Sequence, residues 1–305
     1  MKAHWGAPYR ESWSRWDWPL EMTFGEMWTP LNLVNIDDET RVFYANPNAQ
    51  YVLDGDIKDI LENLELVVTP STGETHLNRR SLNEAGIEVL SLLDNREKLD
   101  EIRASSEFAF LLVLNSLRRL DAAILGKQWI RAEELRRGHE LYGKMIGLIG
   151  HGRIGKNLEH WCRAFGAGAY WNDPREKNEL YQPPVDWLFK NCGVVVICCS
   201  FNQTTRGMIT GDLVREMRIG GVLINVARGE IVDEESVAEA LRERPDIDFW
   251  TDVLAGEATG TIHDSPLLGL PNVFVTPHIA GTTVESQEKA AQIALALTEK
   301  WYADK

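Results

Sequence analysis

Three groups that can bind an anion or exchange a proton follow apolar runs in the second half of the chain. Arg228 stands in Asn-Val-Ala-Arg-Gly, Glu257 ends Asp-Val-Leu-Ala-Gly-Glu, and His278 stands in Thr-Pro-His-Ile-Ala-Gly. A guanidinium can grip a carboxylate, and an imidazole can give or take a proton near neutral pH. Taken singly, each has an ordinary explanation: a surface ion pair, a solvated loop acid and a satisfied core histidine. Their position after successive apolar runs indicates a shared site, because parallel strands collect ligands at their carboxyl ends.

A glycine-rich segment, Gly-His-Gly-Arg-Ile-Gly at 150–155, follows directly on an apolar run and opens a helical pattern. In that context Gly150 permits a tight turn, Gly152 lets the backbone approach a pyrophosphate, and Gly155 allows close packing of helix on strand. The amino end of the helix adds N–H groups and a partial positive charge. The segment therefore predicts a dinucleotide site, the alternative being a glycine-rich turn that binds nothing.

An acidic residue, Asp173, ends the next apolar run, 18 residues beyond Gly155. At about this distance an acidic side chain accepts hydrogen bonds from the ribose hydroxyls of the adenosine. Asp173 would repel a 2′-phosphate, which favours NAD, whereas Arg175 keeps NADP open as the alternative. Without a ligand, Asp173 would simply be a turn residue before Pro174.

Apolar, β-branched runs alternate with helical patterns along most of the chain. The predicted strands are 41–44, 64–69, 87–90, 145–149, 169–172, 194–198, 222–225, 249–253 and 273–276. The predicted helices are 57–63, 105–120, 154–165, 212–217, 234–242 and 285–302. Strands that are apolar nearly throughout indicate parallel sheets covered on both faces, so the predicted fold class is α/β. The length of 305 residues favours two domains, with the helix at 105–120 as their link and the last helix crossing back onto the first domain.

The composition argues against several classes of protein. With 46 acidic and 32 basic residues the net charge is −14, which repels nucleic-acid backbones and anionic lipid headgroups. No apolar run reaches the roughly 20 residues that a membrane-spanning helix needs, and charges interrupt the amino terminus where a signal peptide would be apolar. Three of the four cysteines, Cys192, Cys198 and Cys199, match neither a zinc site nor a disulfide framework. We therefore expect a cytoplasmic protein with reduced thiols and no bound metal, nucleic acid or membrane.

Several motifs, taken together and in order, resemble those of the D-isomer-specific 2-hydroxyacid dehydrogenases. The matching segments, spread over about 67–281, are Ser-Thr-Gly at 71–73, Leu-Tyr-Gly-Lys at 141–144, the glycine segment at 150–155, Val-Ala-Arg-Gly at 226–229 and Thr-Pro-His-Ile-Ala-Gly at 276–281. Thr-Pro-Ser-Thr-Gly at 69–73 and Asp-Asn-Arg-Glu at 94–97 look most like the phosphoglycerate-dehydrogenase-like branch. The resemblance implies a Rossmann NAD-binding domain at 104–281 inserted into a flavodoxin-like substrate domain made of 1–103 and 282–305, both with doubly wound parallel sheets. It also implies a homodimer, built around the helix from about 108–120 and the segment through Trp129.

The same resemblance assigns roles to the reactive groups. Arg228 corresponds to the substrate arginine, His278 to the acid/base, and Glu257 to the carboxylate that favours the imidazolium form of the histidine. The backbone at Ser71, Thr72 and Gly73 corresponds to the loop that holds the substrate carboxylate. The implied contacts to the cofactor, NAD, are Gly150, Gly152, Arg153, Ile154, Gly155, Asp173, Cys199, Val226, Ala227, Arg228, Asp252, His278, Ala280 and Gly281.

Three features depart from the family pattern. Cys-Cys-Ser at 198–200 stands where the family commonly has His-x-Pro, and Ala258 follows Glu257 in place of proline. No family-like opening strand is evident at the start of the chain, which holds five of the 11 tryptophans (Trp5, Trp13, Trp16, Trp18 and Trp28). We interpret these tryptophans as core or subunit-contact residues, with a roof over the substrate cleft as the alternative.

The leading hypothesis is an NAD-dependent oxidoreductase for a small D-2-hydroxy acid and its 2-oxo acid. The alternative is a dinucleotide-sensing regulator, in which cofactor binding on the same scaffold changes the affinity for a protein partner. A metal hydrolase on a flavodoxin-like scaffold would need clustered ligands, which the sequence lacks. The identity of the 2-hydroxy acid and the physiological direction are not encoded in these motifs.

Overall fold

The computed structural model holds two compact units. It describes residues 2–6, 21–24, 36–49, 51–125, 137–176 and 182–305. The first unit comprises Met1–Ile102, Glu257–Thr261 and Thr282–Lys305, and the second comprises Arg103–Gly256 and Ile262–Gly281. Residues 257–261, which the sequence analysis gave to the nucleotide domain, thus group with the first unit. The labels of substrate domain and nucleotide domain remain predictions.

The secondary structure alternates between strands and helices, as an α/β fold requires. The strands are β1 (Lys2–Trp5), β2 (Glu21–Phe24), β3 (Val42–Tyr44), β4 (Leu66–Thr69), β5 (Glu88–Ser91), β6 (Met145–Ile149), β7 (Gly168–Asn172), β8 (Val194–Ile197), β9 (Val222–Asn225), β10 (Asp248–Thr251) and β11 (Val273–Val275). The α-helices are α1 (Arg79–Glu84), α2 (Arg96–Leu99), α3 (Ala104–Arg118), α4 (Leu120–Leu125), α5 (Arg153–Ala164), α6 (Val185–Asn191), α7 (Gly211–Arg215), α8 (Glu234–Glu243) and α9 (Val284–Ala303).

The first unit is built on a five-stranded parallel sheet in the order β2-β1-β3-β4-β5. This is the flavodoxin-like order. Helix α9 covers part of it, since Tyr44 donates a hydrogen bond to Thr298 at 2.8 Å and Trp301 donates one to Glu88 at 2.7 Å. The last helix therefore returns to the first unit, as predicted. A 3₁₀ turn at Gly55–Asp59 replaces the helix predicted at 57–63.

The opening of the chain corrects one expectation. Strand β1 lies inside the sheet, paired with β2 and β3, although the sequence analysis found no opening strand. Trp5 is 1% exposed and stacks on Tyr44 at 4.7 Å, so this tryptophan belongs to the core. The strand escaped detection because it is short and Lys2 and His4 interrupt its apolar pattern. The tryptophans at 13, 16, 18 and 28 lie outside the described residues.

The second unit is built on a six-stranded parallel sheet in the order β11-β10-β9-β8-β6-β7. All four side chains of β8 are fully buried, because apolar clusters cover both faces of the sheet. One cover is α3, which ends where Arg119 adopts a left-handed φ of 56° and forms an ion pair with Asp248. The helix predicted at 105–120 is confirmed as α3, which ends two residues earlier, and a second short helix, α4, follows it. The predicted α/β class with parallel sheets is confirmed, and no helix in the described ranges has the length and apolarity to span a bilayer.

Candidate active site

The six strands of the second unit end at one level. The paired residues at their carboxyl ends are Asn172, Ile149, Ile197, Asn225, Thr251 and Val275, in the order of the sheet from β7 to β11. The loops that leave this edge carry most of the residues that the sequence analysis selected. Ligands bind at this edge in open parallel sheets.

The glycine loop between β6 and α5 has the shape of a phosphate cradle. Gly150 has a φ of 100°, and a Cβ there would lie 2.6 Å from the Cα of Cys199. A Cβ on Gly155 would lie 2.4 Å from the carbonyl oxygen of Gly150, whereas a Cβ on Gly152 would have no neighbour within 4 Å. Gly150 and Gly155 thus hold the loop tight, and Gly152 leaves space in front of the amino end of α5. The loop fits the pyrophosphate of a dinucleotide.

Asp173 lies beside this loop, at the end of β7. Its Oδ2 accepts a hydrogen bond from the backbone N–H of His151 at 2.8 Å, and its Oδ1 accepts one from the N–H of Arg175 at 2.9 Å. The carboxylate is half-buried, and the Arg175 side chain is exposed. A carboxylate at the end of the second strand of a nucleotide-binding sheet fits the ribose diol of NAD.

The two cysteines after β8 pack beneath the glycine loop. The thiol of Cys198 donates to the carbonyl oxygen of Gly150 at 3.2 Å. Burial raises the pKa of the Cys199 thiol to about 11 and that of Cys198 well above its usual value. Both thiols are therefore protonated at neutral pH. Cys198 supports the loop where the family pattern has a histidine.

Arg228 is presented by a turn that its neighbours shape. The side chain of Asn225 accepts a hydrogen bond from the N–H of Ala227 at 3.0 Å and donates one to the carbonyl oxygen of Arg228 at 3.0 Å. A Cβ on Gly229 would lie 2.0 Å from the backbone carbon of Leu254, so only glycine allows this loop to seat against the one after β10. The guanidinium is half-buried and also donates to the carbonyl oxygen of Ala227 at 2.6 Å.

His278 lies on a loop that Asp252 braces. Its backbone has a φ of 53°, a left-handed conformation that costs an L-residue about 1–2 kcal/mol. The His278 N–H donates to the carbonyl oxygens of Asp252 at 2.9 Å and Thr276 at 3.0 Å. The imidazole is half-buried. A residue held in so unusual a conformation suits a functional position.

The brace itself is the Asp252 carboxylate, which is 1% exposed. It accepts hydrogen bonds from the Thr276 hydroxyl at 2.6 Å, from Ile279 N–H at 2.9 Å and from Ala280 N–H at 2.8 Å. Burial raises the pKa of Asp252, and these three hydrogen bonds oppose the rise. Sequence reasoning placed Asp252 at the cofactor but missed its bond to Thr276 and its hold on the His278 loop.

The other residues predicted to act on the substrate, Ser71 to Gly73 and Glu257, belong to the first unit. Ser71 follows β4, and its Oγ accepts a hydrogen bond from the N–H of Gly73 at 2.9 Å, closing a tight turn around Thr72. Glu257 begins a 3₁₀ turn and is half-exposed. Their cooperation with Arg228 and His278 is a proposal.

Comparison with known proteins identifies the family. The model of the D-isomer specific 2-hydroxyacid dehydrogenase NAD-binding domain matches residues 108–280, more than half of the chain. Formate dehydrogenase 2 of Oryza sativa subsp. japonica is 27% identical over 249 residues, which cover 79% of this chain and 65% of that protein, so this chain spans less than two thirds of its length. Glyoxylate reductase of Thermococcus onnurineus is 26% identical over 263 residues, 79% of this chain and 74% of that protein.

The fold agrees with solved structures. The NAD⁺-bound 3-phosphoglycerate dehydrogenase of Entamoeba histolytica has a TM-score of 0.79 and 21% identity, and the match covers 99% of this chain and 95% of that one. The matched NAD-binding domain contains the cradle at Gly152, and its cofactor is NAD, as predicted. The predicted family is confirmed: the chain belongs to the D-isomer-specific 2-hydroxyacid dehydrogenases, a family of NAD-dependent oxidoreductases.

Proposed function

We propose that this chain interconverts a small 2-oxo acid and its D-2-hydroxy acid with NADH and NAD⁺. The observation that carries the proposal is the position of Arg228 and His278. Each lies three residues beyond a strand end, and those two strand ends, Asn225 and Val275, both pair with Thr251. Arg228 is a fixed cation, which suits a carboxylate, and His278 is an acid/base, which suits a carbonyl. The pair therefore suits a substrate in which a carboxylate adjoins a carbonyl.

Each group has a distinct task in this proposal. The nicotinamide, when bound, supplies or accepts the hydride. Arg228 binds the substrate carboxylate and polarises the neighbouring carbonyl, together with the backbone of the turn at Ser71 to Gly73. In reduction the imidazolium of His278 gives its ring proton to the carbonyl oxygen, and in oxidation the neutral ring takes that proton back. Glu257 favours the charged form of the ring.

Turnover tests the proposal. We expect loss of NADH absorbance with one or more members of a panel of glyoxylate, pyruvate, hydroxypyruvate and longer 2-oxo acids. In the reverse direction, NAD⁺ should be reduced with the D enantiomer of the matching hydroxy acid and not with the L enantiomer. Formate is tested separately with NAD⁺, for the appearance of NADH, because relatives are named formate dehydrogenase. Tight NADH binding without turnover of any 2-oxo acid would contradict the proposal and would favour a dinucleotide sensor.

We further propose that the chain forms a homodimer in the cytoplasm. In the second unit, Leu111 is 52% and Tyr142 is 76% exposed. Tyr142 also lines a cavity of about 240 Å³ together with Leu114, Leu117 and Phe165. Exposed apolar side chains beside a cavity whose lining is apolar except for Arg118, His139 and Glu140 are typical of a surface that a second copy covers.

A further inference from the structure

A buried histidine lies inside the glycine loop, between Gly150 and Gly152. The His151 side chain is 6% exposed, and its ring stacks on the Trp171 indole with 4.0 Å between centroids and 9° between planes. Its Nε2 lies 2.7 Å from Glu159 Oε2, and its Nδ1 lies 2.9 Å from Glu176 Oε2. Both ring nitrogens therefore face carboxylate oxygens.

This geometry suits a His151 ring with a proton on both nitrogens. A carboxylate only accepts hydrogen bonds, so both contacts are hydrogen bonds only when both ring nitrogens carry a proton. In a neutral ring, one nitrogen lone pair would face a carboxylate oxygen at 2.7 or 2.9 Å, which is repulsive. The imidazolium makes two charge-assisted hydrogen bonds instead.

The surrounding charges balance the imidazolium. Lys156 lies 2.7 Å from Glu176, and Arg163 lies 2.9 Å from Glu159. Lys156 first, and His151 second, hold the pKa of Glu176 below its usual value. The other titratable groups nearby are the Asp173 carboxylate, on the His151 backbone N–H, and the protonated Cys198 thiol, on the carbonyl oxygen of Gly150. Three cations thus face three carboxylates when His151 is charged.

The cluster connects the glycine loop to the turn that carries Asp173. The His151 N–H donates to the Asp173 carboxylate at 2.8 Å, and the Glu176 N–H donates to the Asp173 carbonyl oxygen at 3.2 Å. The ring of His151 holds the Glu176 side chain, and Glu159 holds the ring from α5. The glycine loop, α5 and the turn after β7 therefore meet at one imidazole.

We propose that the His151 imidazolium is a positioning residue for Asp173 and thereby sets the affinity for NADH and the preference for NADH over NADPH. The inference rests on the proposed role of Asp173 at the ribose. When His151 loses its proton, one carboxylate turns away from the ring, and the turn after β7 keeps only the His151 N–H bond to Asp173 and the Lys156–Glu176 ion pair. Asp173 then meets the ribose hydroxyls less well and also repels a 2′-phosphate less strongly. Affinity for NADH and the preference over NADPH are therefore higher with a charged His151 ring than with a neutral one.

Binding measurements on the full chain test this without any turnover. Fluorescence titration gives the Kd of NADH and of NADPH from about pH 5 to about pH 8, where histidine titrates. For the parent protein we expect the Kd of NADH to rise about three- to tenfold across this range, tenfold corresponding to about 1.4 kcal/mol. His151→Asn should show the weaker Kd at every pH and a smaller preference for NADH. His160→Asn is the matched control, because His160 is exposed on α5, the helix that begins just after His151, and should follow the parent.

Two more variants keep the inference falsifiable. Glu176→Gln leaves the glycine loop intact but weakens the hold on the ring, so it should flatten the pH profile even if His151→Asn does not fold. If folded Glu176→Gln kept both the pH profile of the parent and the parent's ratio of the Kd of NADPH to the Kd of NADH, the inference would be overturned. Asp173→Asn separates the positioning role of His151 from the proposed role of Asp173 at the cofactor. If Asp173→Asn abolishes the preference for NADH while His151→Asn does not, the inference on His151 alone fails. If Asp173→Asn leaves the preference unchanged, the role of Asp173 fails, and the inference falls with it.

Discussion

Replacing His278 should separate the chemistry of its ring from the geometry of its loop. The backbone φ of 53° stays available to asparagine, which tolerates the left-handed region better than alanine does. The two hydrogen bonds of the His278 N–H, at 2.9 and 3.0 Å, involve only backbone atoms and survive either replacement. His278→Asn should therefore keep the loop and remove only the acid/base group.

The expected magnitudes differ for activity and stability. Loss of a positioned general acid lowers kcat by a factor of about 10² to 10⁴, and this should hold for both His278→Asn and His278→Ala. A non-glycine residue pays about 1–2 kcal/mol in the left-handed region, and asparagine recovers part of this through local hydrogen bonds. The free energy of unfolding of His278→Ala should thus be lower than that of His278→Asn by up to about 1 kcal/mol.

Steady-state reduction of the 2-oxo acid found by the panel measures kcat, and urea unfolding measures stability. NADH titration serves as the control: His278 is one of the implied cofactor contacts, but the glycine loop and Asp173 stay intact, so the Kd of NADH should change little. His160→Asn controls for the loss of a histidine elsewhere in the second unit. Reduction by His278→Asn at the parental kcat would refute the assignment of His278 as the proton donor. If His278→Asn and His278→Ala lost kcat equally but differed in their free energy of unfolding, this would support that assignment.

Four further outcomes follow from the structure. Glu257→Gln should move the pH profile of the reductive reaction toward acid, because the imidazolium loses a favourable charge, and an unchanged profile would contradict the role of Glu257. Arg228→Lys should raise KM for the 2-oxo acid and also lower kcat, since lysine lacks the planar two-pronged grip; an effect on KM alone would indicate simple ground-state binding. The Arg244 ion pair lowers the pKa of Asp246 from 3.8 to about 2, so its stabilisation is present above about pH 4 and is lost as the pH falls through about 2. Asp246→Asn, at a partly exposed site, should therefore cost at most about 1 kcal/mol in urea unfolding at neutral pH, and a difference from the parent that persists below about pH 2 would contradict the assignment. Light scattering should show a dimer at micromolar concentration and a shift toward monomer on Leu111→Asp, and a parental monomer would refute the proposed assembly.

Features with a local signal could be predicted from the sequence. The bounds of β6 and β9 agree with the predicted strands 145–149 and 222–225, because both are uninterrupted apolar runs in a sheet that is buried on both faces. The glycine loop was also local, since Gly155 must approach the carbonyl oxygen of Gly150 within the same turn, and Gly150 has a φ of 100°. That Arg228 and His278 leave the same sheet edge followed from the parallel-sheet rule alone.

Features that depend on distant partners could not be predicted. The Asp252 carboxylate bonds to the N–H of Ile279, 27 residues away, and the His151 ring bonds to Glu176, 25 residues away. No periodicity or spacing links such pairs, because they meet only when separate strands end at the same level. Residues that contact a ligand lie in short motifs, because neighbouring positions must fit the same ligand. Residues that only support them need one hydrogen-bond partner on another strand or loop, and this leaves no motif in the sequence. His151 therefore received no role from the sequence, although its ring joins the glycine loop, α5 and the turn that carries Asp173.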